Sequence, residues 1–333
     1  MENRYLKTLT QLTKRVKSEP PTKYLWGGIK EGSFGFVYGP SKSGKTTFCE
    51  GLAMSLASGK KSYFDNILTG KRKNVLFLSL EEYYKERTLR NIKQLEFLKL
   101  ESLDNYNTVD ENFPRLISGS VEWELLKSII IDSGSEIVFI DSFSRLYSGS
   151  IEESSLAKNI MFKLRELTND LKITLIIIHH TPKLNGRPIT IDSLAGSRIL
   201  AQDADFLIGI NKSVNGTRYL KEVAYRYAPE NSDTVTSFTI DKKNWLVVSG
   251  DIDENDLAIQ ADGRVNDFNT DKVLNVIKEL TKDGDEVKSK DIEKEGEIVG
   301  VKRATVYNQL KKLEEKKIIR KVKQGVYVLC KTT

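Results

Sequence analysis

Short apolar runs alternate with amphipathic stretches over most of the chain. Phe34–Tyr38 (FGFVY), Asn74–Leu80 (NVLFLSL), Glu136–Ile140 (EIVFI) and Ile173–Ile178 (ITLIII) are strand-length and mostly apolar. Between them, Thr46–Ser58, Tyr84–Leu100, Val121–Ile131 and Ser155–Leu171 carry helical patterns. Apolar strands that alternate with helices predict a mostly parallel sheet covered on both faces, an α/β fold. The pattern then changes. Tyr219–Tyr227 and Thr234–Val248 predict antiparallel strands that close the same domain. At the front, Glu2–Lys17 predicts a short charged helix stopped by Pro20 and Pro21.

Asp251–Gly263 (DIDENDLAIQADG) is acidic with few large apolar residues and predicts a linker. Asp271–Thr333 follows as helix, helix, helix and hairpin, and looks like a winged helix-turn-helix. Val273, Val276, Ile277 and Leu280 form its first apolar stripe, and Val287–Lys294 a short second helix. Val306, Leu310 and Leu313 face inward from the third helix, and the hairpin tip lies near Lys323–Gly325. The expected division is therefore a helical arm over 1–24, an α/β domain over 25–250, an acidic linker over 251–268 and a winged-helix unit over 269–333.

Composition narrows the class. The chain has 333 residues, 39% hydrophobic and 29% charged, enough to bury a sizeable core in about two domains. A net charge of +6 permits an anionic partner without demanding one. Cys49 and Cys330 lie far apart and form no metal-spaced cluster, which suits a reduced, cytoplasmic setting. The first residues are too polar for a signal peptide, and the apolar runs are too short to span a membrane.

The strongest motif is Gly39–Thr46, GPSKSGKT, which fits G-x-x-x-x-G-K-[ST] at every fixed position. An apolar strand precedes it and a helical pattern follows. Gly39, Pro40, Ser41, Lys42, Ser43, Gly44, Lys45, Thr46 and Thr47 form the expected cradle for ATP. Its backbone amides and helix N-terminus wrap phosphates, and glycines keep the approach open. Lys45 supplies positive charge, and Thr46 offers a hydroxyl to Mg²⁺. Ile137–Asp141 (IVFID) is an apolar strand ending in aspartate, which makes Asp141 the second candidate ligand to Mg²⁺. Without the phosphate loop, Asp141 would read equally as a turn or cap residue.

Further motifs carry a family resemblance. The lead-in WGGIKEGSFGFVYGPSKSGKT, the strand NVLFLSLEE and the tail HHTPK…NGRP…LAGSRILAQDADFLIGI resemble RecA-like P-loop ATPases, and RepA-type hexameric helicases in particular. The piece SLE (Ser79–Glu81) and QDAD (Gln202–Asp205) are similar to DnaB-type helicases. The resemblance spans roughly Leu25–Ser249. It implies that Glu81 is the general base that polarises the attacking water, with Glu82 as the alternative. It also implies that a polar residue at the tip of the central strand senses the γ-phosphate. Adjacent histidines on a strand point to opposite faces, so His179 and His180 do not readily share one metal. Spacing to the basic loop favours His179 as sensor, with His180 structural. Both remain readable as strand-end histidines bonded to neighbouring carbonyls. An arginine acting in trans is implied, with Arg198 first and Arg187 second. The order GSR at Gly196–Arg198 departs from the family's usual RGS.

Two loops are expected to face single-stranded DNA, SFSRLYSGSIEES through Arg145 and PKLNGRPITID through Lys183 and Arg187. The C-terminal unit is strongly basic from Lys302 to Lys323, with Glu314 and Glu315 its only acids there. Lys302, Arg303, Thr305 and Asn308 sit at the start of its third helix, where such folds read duplex DNA, and Lys311 and Lys323 extend the basic surface. The same fold also serves protein contacts. The whole reads as an ATP-dependent DNA helicase or translocase of the RepA type, forming a homo-oligomer, most simply a hexameric ring, in replication of a plasmid, phage or mobile element. A recombinase-like or DNA-organising ATPase without unwinding, and a nucleotide-switched DNA-binding regulator, are the alternatives.

Overall fold

The apolar runs lie side by side in one nine-stranded sheet. In this computed structural model the described residues are 6–194, 198–229, 234–257, 268–281, 286–298, 303–315, 317–323 and 325–330. The chain divides into two compact units, residues 1–184 with 189–254, and residues 255–333 with 185–188.

The sheet of the larger unit contains β1 (Phe34–Gly39), β2 (Val75–Ser79), β3 (Tyr106–Thr108), β4 (Ile137–Asp141), β5 (Thr174–His180), β6 (Phe206–Lys212), β7 (Arg218–Tyr225), β8 (Thr234–Ile240) and β9 (Leu246–Asp253). Their lateral order is β9-β8-β7-β6-β1-β5-β4-β2-β3. Neighbours from β6 through to β3 are parallel. The pairs β6–β7, β7–β8 and β8–β9 are antiparallel. The helices of this unit are α1 (Leu9–Ser18), α2 (Lys45–Ser58), α3 (Tyr84–Leu98), α4 (Ser120–Asp132), α5 (Ser154–Leu171) and α6 (Arg198–Asp203).

Every residue of β1, β2 and β4 is buried, so both faces of the sheet need cover. Val37, Phe77, Phe139 and Ile176 pack with Phe48, Leu52 and Leu56 of α2. Alternation sends Phe34 and Phe36 to the opposite face. There α5 lies across the sheet, its Arg165 guanidinium 4.3 Å from the Phe34 ring centroid. The two helices differ accordingly. α5 buries Ala157, Ile160, Met161, Leu164, Leu167 and Thr168, one stripe at helical spacing. α2 is buried almost all round, from Phe48 to Ala57 without a break.

Asp205, just before β6, ties three elements together. It is buried and accepts hydrogen bonds from the Phe34 amide (3.1 Å) and from Arg165 (2.6 and 3.0 Å), with Arg226 at 3.3 Å. The QDAD resemblance thus ends on a structural carboxylate.

The linker expected from Asp251 begins later. β9 runs to Asp253, and Glu254 is buried. Composition misled here because β9 is the edge strand of the sheet, where alternating charged side chains face solvent. Glu254 accepts hydrogen bonds from the Ile189 amide and the Tyr219 hydroxyl, both at 2.9 Å, and pairs with Lys221. Residues 258–267, most of the expected linker, lie outside the described residues. Near the start of the chain, α1 begins at Leu9 rather than Glu2, capped by Thr8 with Gln11 in a capping box.

The smaller unit has α7 (Phe268–Leu280), β10 (Val287–Lys288), α8 (Ser289–Ile298), α9 (Arg303–Glu315), β11 (Ile319–Lys323) and β12 (Val326–Leu329). Its strands run β10-β12-β11, and all pairs are antiparallel. Val273, Val276, Ile277, Ile292, Val306, Leu310 and Leu313 share one core. Two details differ from expectation. Leu280 is partly exposed at the end of α7, and Val287 pairs as a strand with Tyr327 before α8 begins. No helix among the described residues is long and apolar enough to cross a membrane.

Replacing Asp205 with alanine leaves the Phe34 amide without its partner. The expected cost is about 2–3 kcal/mol, below the range for a fully buried pair because Arg165 and Arg226 reach solvent. The urea transition of the larger unit should move down accordingly, and an unchanged midpoint would show that Asp205 is not a tie.

Candidate active site

The expected phosphate loop lies between the end of β1 and the start of α2, and α2 opens at Lys45. Two of its glycines are required by the backbone. Gly39 has φ +153°, and a Cβ there would stand 1.9 Å from the Ile210 carbonyl oxygen of β6. Gly44 caps α2 in the left-handed region, φ +114°. The Phe48 amide makes the first helical bond, to the Gly44 carbonyl at 2.9 Å. The amides before it lie ahead of the helix's own ladder and are suited to an anion.

Lys45 is 3% exposed, and its Nζ donates to the Pro40 carbonyl at 2.8 Å. Burial pulls its pKa down to about 8, opposed by the negative charge of Asp141 nearby. Thr46 Oγ1 donates to Asp141 Oδ2 at 2.7 Å. Burial pushes Asp141 up to about 6, with the Thr46 hydrogen bond working against it. The two residues expected to hold Mg²⁺ therefore already meet, through hard oxygen atoms that suit it.

Glu81 stands two residues past β2, whose Ser79 pairs with Asp141. Its backbone is held from both sides. The Leu80 amide donates to the Asp141 carbonyl at 2.7 Å. Arg115 donates to the carbonyls of Ser79 (3.0 Å) and Glu82 (2.8 Å). The side chain is held as well. Glu81 Oε1 accepts from the hydroxyls of Ser142 and of Ser144, the latter at 2.9 Å, and Arg145 Nε is 3.9 Å away. Its Oε2 is 3.3 Å from His180 Nε2. The His180 hydrogen bond, more than the two serines, draws the Glu81 pKa down to about 2.

Glu82, the alternative base, points elsewhere. It makes a two-pronged pair with Arg90, which pairs in the same way with the buried Glu50 of α2. The two histidines have different surroundings. His179 is buried, its ring 5.1 Å from Phe143 and 6.1 Å from Phe36. His180 is the one that meets Glu81. Adjacent on β5, their side chains turn to opposite faces of the sheet, as alternation requires. Ligand atoms of Glu81, Asp141 and His180 lie within 4.8 Å of one another, a three-residue set from three strand ends. An imidazole nitrogen there suits a transition metal better than Mg²⁺.

Lys183 and Arg187, on the loop after β5, and Arg198, which opens α6, are exposed. Gly196 and Ser197 lie outside the described residues. In the smaller unit, Arg303 pairs with Glu293 at 3.1 Å and Lys323 with Glu286 at 3.7 Å, and Lys311 is exposed. Lys302 lies outside the described residues, as do the side chains of Thr305 and Asn308. Sequence reasoning gave His180 only a structural part and missed Arg115, Ser142 and Ser144. The serines had a legible signal: in DSFSR they follow Asp141 at alternate positions.

The buried Lys45 has a consequence for pH. Below about pH 8 it carries its proton before an anion arrives, and above that binding must take one up. Affinity for ATP should be level below pH 8 and then fall, approaching about tenfold per pH unit well above it. Calorimetry in buffers of different ionisation heat would detect the proton uptake. A flat profile from pH 7 to 9.5 would exclude Lys45 as the titrating contact.

Comparison with curated proteins finds no significant match. Among solved structures, a KaiC-like protein from the hyperthermophilic archaeon Pyrococcus horikoshii matches 68% of this chain and 99% of its own, at 18% identity and a TM-score of 0.48. The AAA_25 family, described as an AAA domain, matches residues 2–186, more than half of the chain. That span carries the phosphate loop, Glu81, Asp141 and both histidines, and the chain belongs to the AAA_25 family.

Proposed function

We propose that this ATPase is a DNA motor, a helicase or translocase of the RepA type that works as a ring in replication of a plasmid, phage or mobile element. One observation carries the reading: Glu81, the candidate base, is in contact with the turn that bears Arg145, a candidate DNA ligand. Hydrolysis and the ligand surface are then one mechanical unit, as a motor requires and a slow switch does not.

The chain's own groups divide the work. The 39–47 loop cradles the phosphates through backbone amides, and Lys45 answers the charge on the β- and γ-phosphates. Thr46 and Asp141 would hold Mg²⁺, which would supply neutralising charge at those phosphates. Glu81 accepts the proton of the water that attacks the γ-phosphorus, as the bond to the bridging oxygen breaks. His180 lies closest to this step, and His179 reports on it through the Phe143 ring. Arg198, with Arg187 second, reaches the γ-phosphate of a neighbouring subunit. Arg145, Lys183 and Arg187 follow a single strand by its phosphates. The smaller unit acts as a winged helix on duplex DNA, with Lys302, Arg303, Thr305, Asn308, Lys311 and Lys323 toward the backbone and groove.

Replacing Glu81 with glutamine should lower kcat by a factor of about 10² or more and leave ATP binding in place. Strand displacement on a forked duplex tests the motor. ATP-dependent unwinding by the wild type, lost in Glu81→Gln, is expected. DNA-stimulated hydrolysis without unwinding would favour the DNA-organising reading, and slow turnover indifferent to DNA would favour the regulator.

A further inference from the structure

The site contains a restraint that the reaction does not call for. A carboxylate offers about four lone-pair positions. On Glu81, Oε1 receives both Ser142 and Ser144, and Oε2 receives His180. Arg145 adds a positive charge at 3.9 Å from Oε1. A base must present a lone pair to water within hydrogen-bond reach, and most of those of Glu81 are already engaged.

The donors to Oε1 come from one short turn and the residue that caps it. Phe143–Arg145 is a single 3-10 turn directly after β4. Its root is fixed, because Phe143 is buried against Phe36 at 5.2 Å and His179 at 5.1 Å, between ring centroids. Its outer part is not. Ser144 is exposed, and the Arg145 side chain is 43% exposed. Arg145 Nε is shielded from solvent yet makes no hydrogen bond among the described residues. It is a cation held near a carboxylate without the geometry of a good ion pair. The Ser142 and Ser144 oxygens also lie 2.8 Å apart; with one proton each, either both donate to Oε1 or one donates to it and the other to its neighbour, so the two hydroxyls act as one clamp.

We propose that the turn Ser142–Arg145 is a latch that holds Glu81 out of use until the phosphates of a single-stranded nucleic acid draw Arg145 outward. The idea rests on Glu81 as general base. Ser142, Ser144 and Arg145 are then positioning residues, which act through Glu81. Arg145 is the sensor of the ligand, and Ser144 is the part of the clamp that swings with it. His180 stays on Oε2 and keeps the carboxylate aimed while Oε1 is freed. His179 fixes the hinge from behind through the Phe143 ring.

Ser144→Ala removes half of the clamp at an exposed position and should leave the fold intact. Its basal kcat without nucleic acid is expected to rise on the order of threefold to tenfold, with KM for ATP unchanged. Ser144→Thr keeps the hydroxyl, and its basal kcat should rise less than that of Ser144→Ala. Oligo(dT) should stimulate the wild type, add little to Ser144→Ala, and fail to stimulate Arg145→Gln. A fall in the basal kcat of Ser144→Ala, or no change, overturns the latch, because the serines would then be supporting Glu81 or be idle. Stimulation of Arg145→Gln equal to wild type overturns the trigger, as does a wild type that oligo(dT) does not stimulate. Glu81→Gln run alongside separates the two levels. If it keeps its turnover, the general-base assignment fails. If it is inactive and Ser144→Ala is not faster, only the latch fails.

Discussion

Parallel pairing in fixed register is the constraint on which the rest of this molecule depends. Because β1, β5, β4 and β2 run the same way, their C-terminal ends meet at one edge of the sheet. Gly39 pairs with His180, Asp141 with Ile178 and Ser79 with Asp141. A shift of one residue in any strand would turn its side chains to the other face. The phosphate loop, Asp141, Glu81 and His180 are therefore brought together by hydrogen bonds between peptide groups far from the reacting atoms. Ligand sites in open α/β sheets lie beyond the carboxyl ends of the strands for this reason.

The same edge collects charge that the core would otherwise reject. Lys45 and Asp141 are both buried, and each shifts toward its neutral form. Around them the structure pairs its buried ions with care. Arg90 bridges Glu50 of α2 to Glu82, which keeps the residue beside Glu81 still. Arg115 holds two carbonyls of the same segment. The scaffold thus fixes the backbone of Glu81 through peptide groups and an arginine, and leaves its side chain to two hydroxyls and an imidazole.

Much of this was legible in the sequence. The phosphate loop declares itself because its chemistry needs glycine at set positions, and Gly39 shows why, with the Ile210 carbonyl leaving no room for a Cβ. The strands and the parallel core follow from apolar runs buried on both faces. Period-two alternation says that His179 and His180 face opposite sides but not which of them meets Glu81. That is decided by Phe36 and Phe143, residues distant in sequence that build an aromatic pocket around His179. Arg115 was invisible for a related reason, since its partners are carbonyl oxygens, which no sequence pattern marks. The acidic stretch at 251–253 read as linker because an edge strand and a solvated loop share a composition.

The end of β9 carries a lesson about where the catalytic domain stops. Glu254 lies beyond the boundary that composition suggests, yet it binds the Ile189 amide at the far end of the basic loop after β5, and Tyr219 and Lys221 on β7. A polypeptide cut at 250 would keep every nucleotide-binding residue and lose the anchor of a proposed DNA loop. Such a fragment would leave that loop untethered, so the shortest piece worth isolating runs through Glu254.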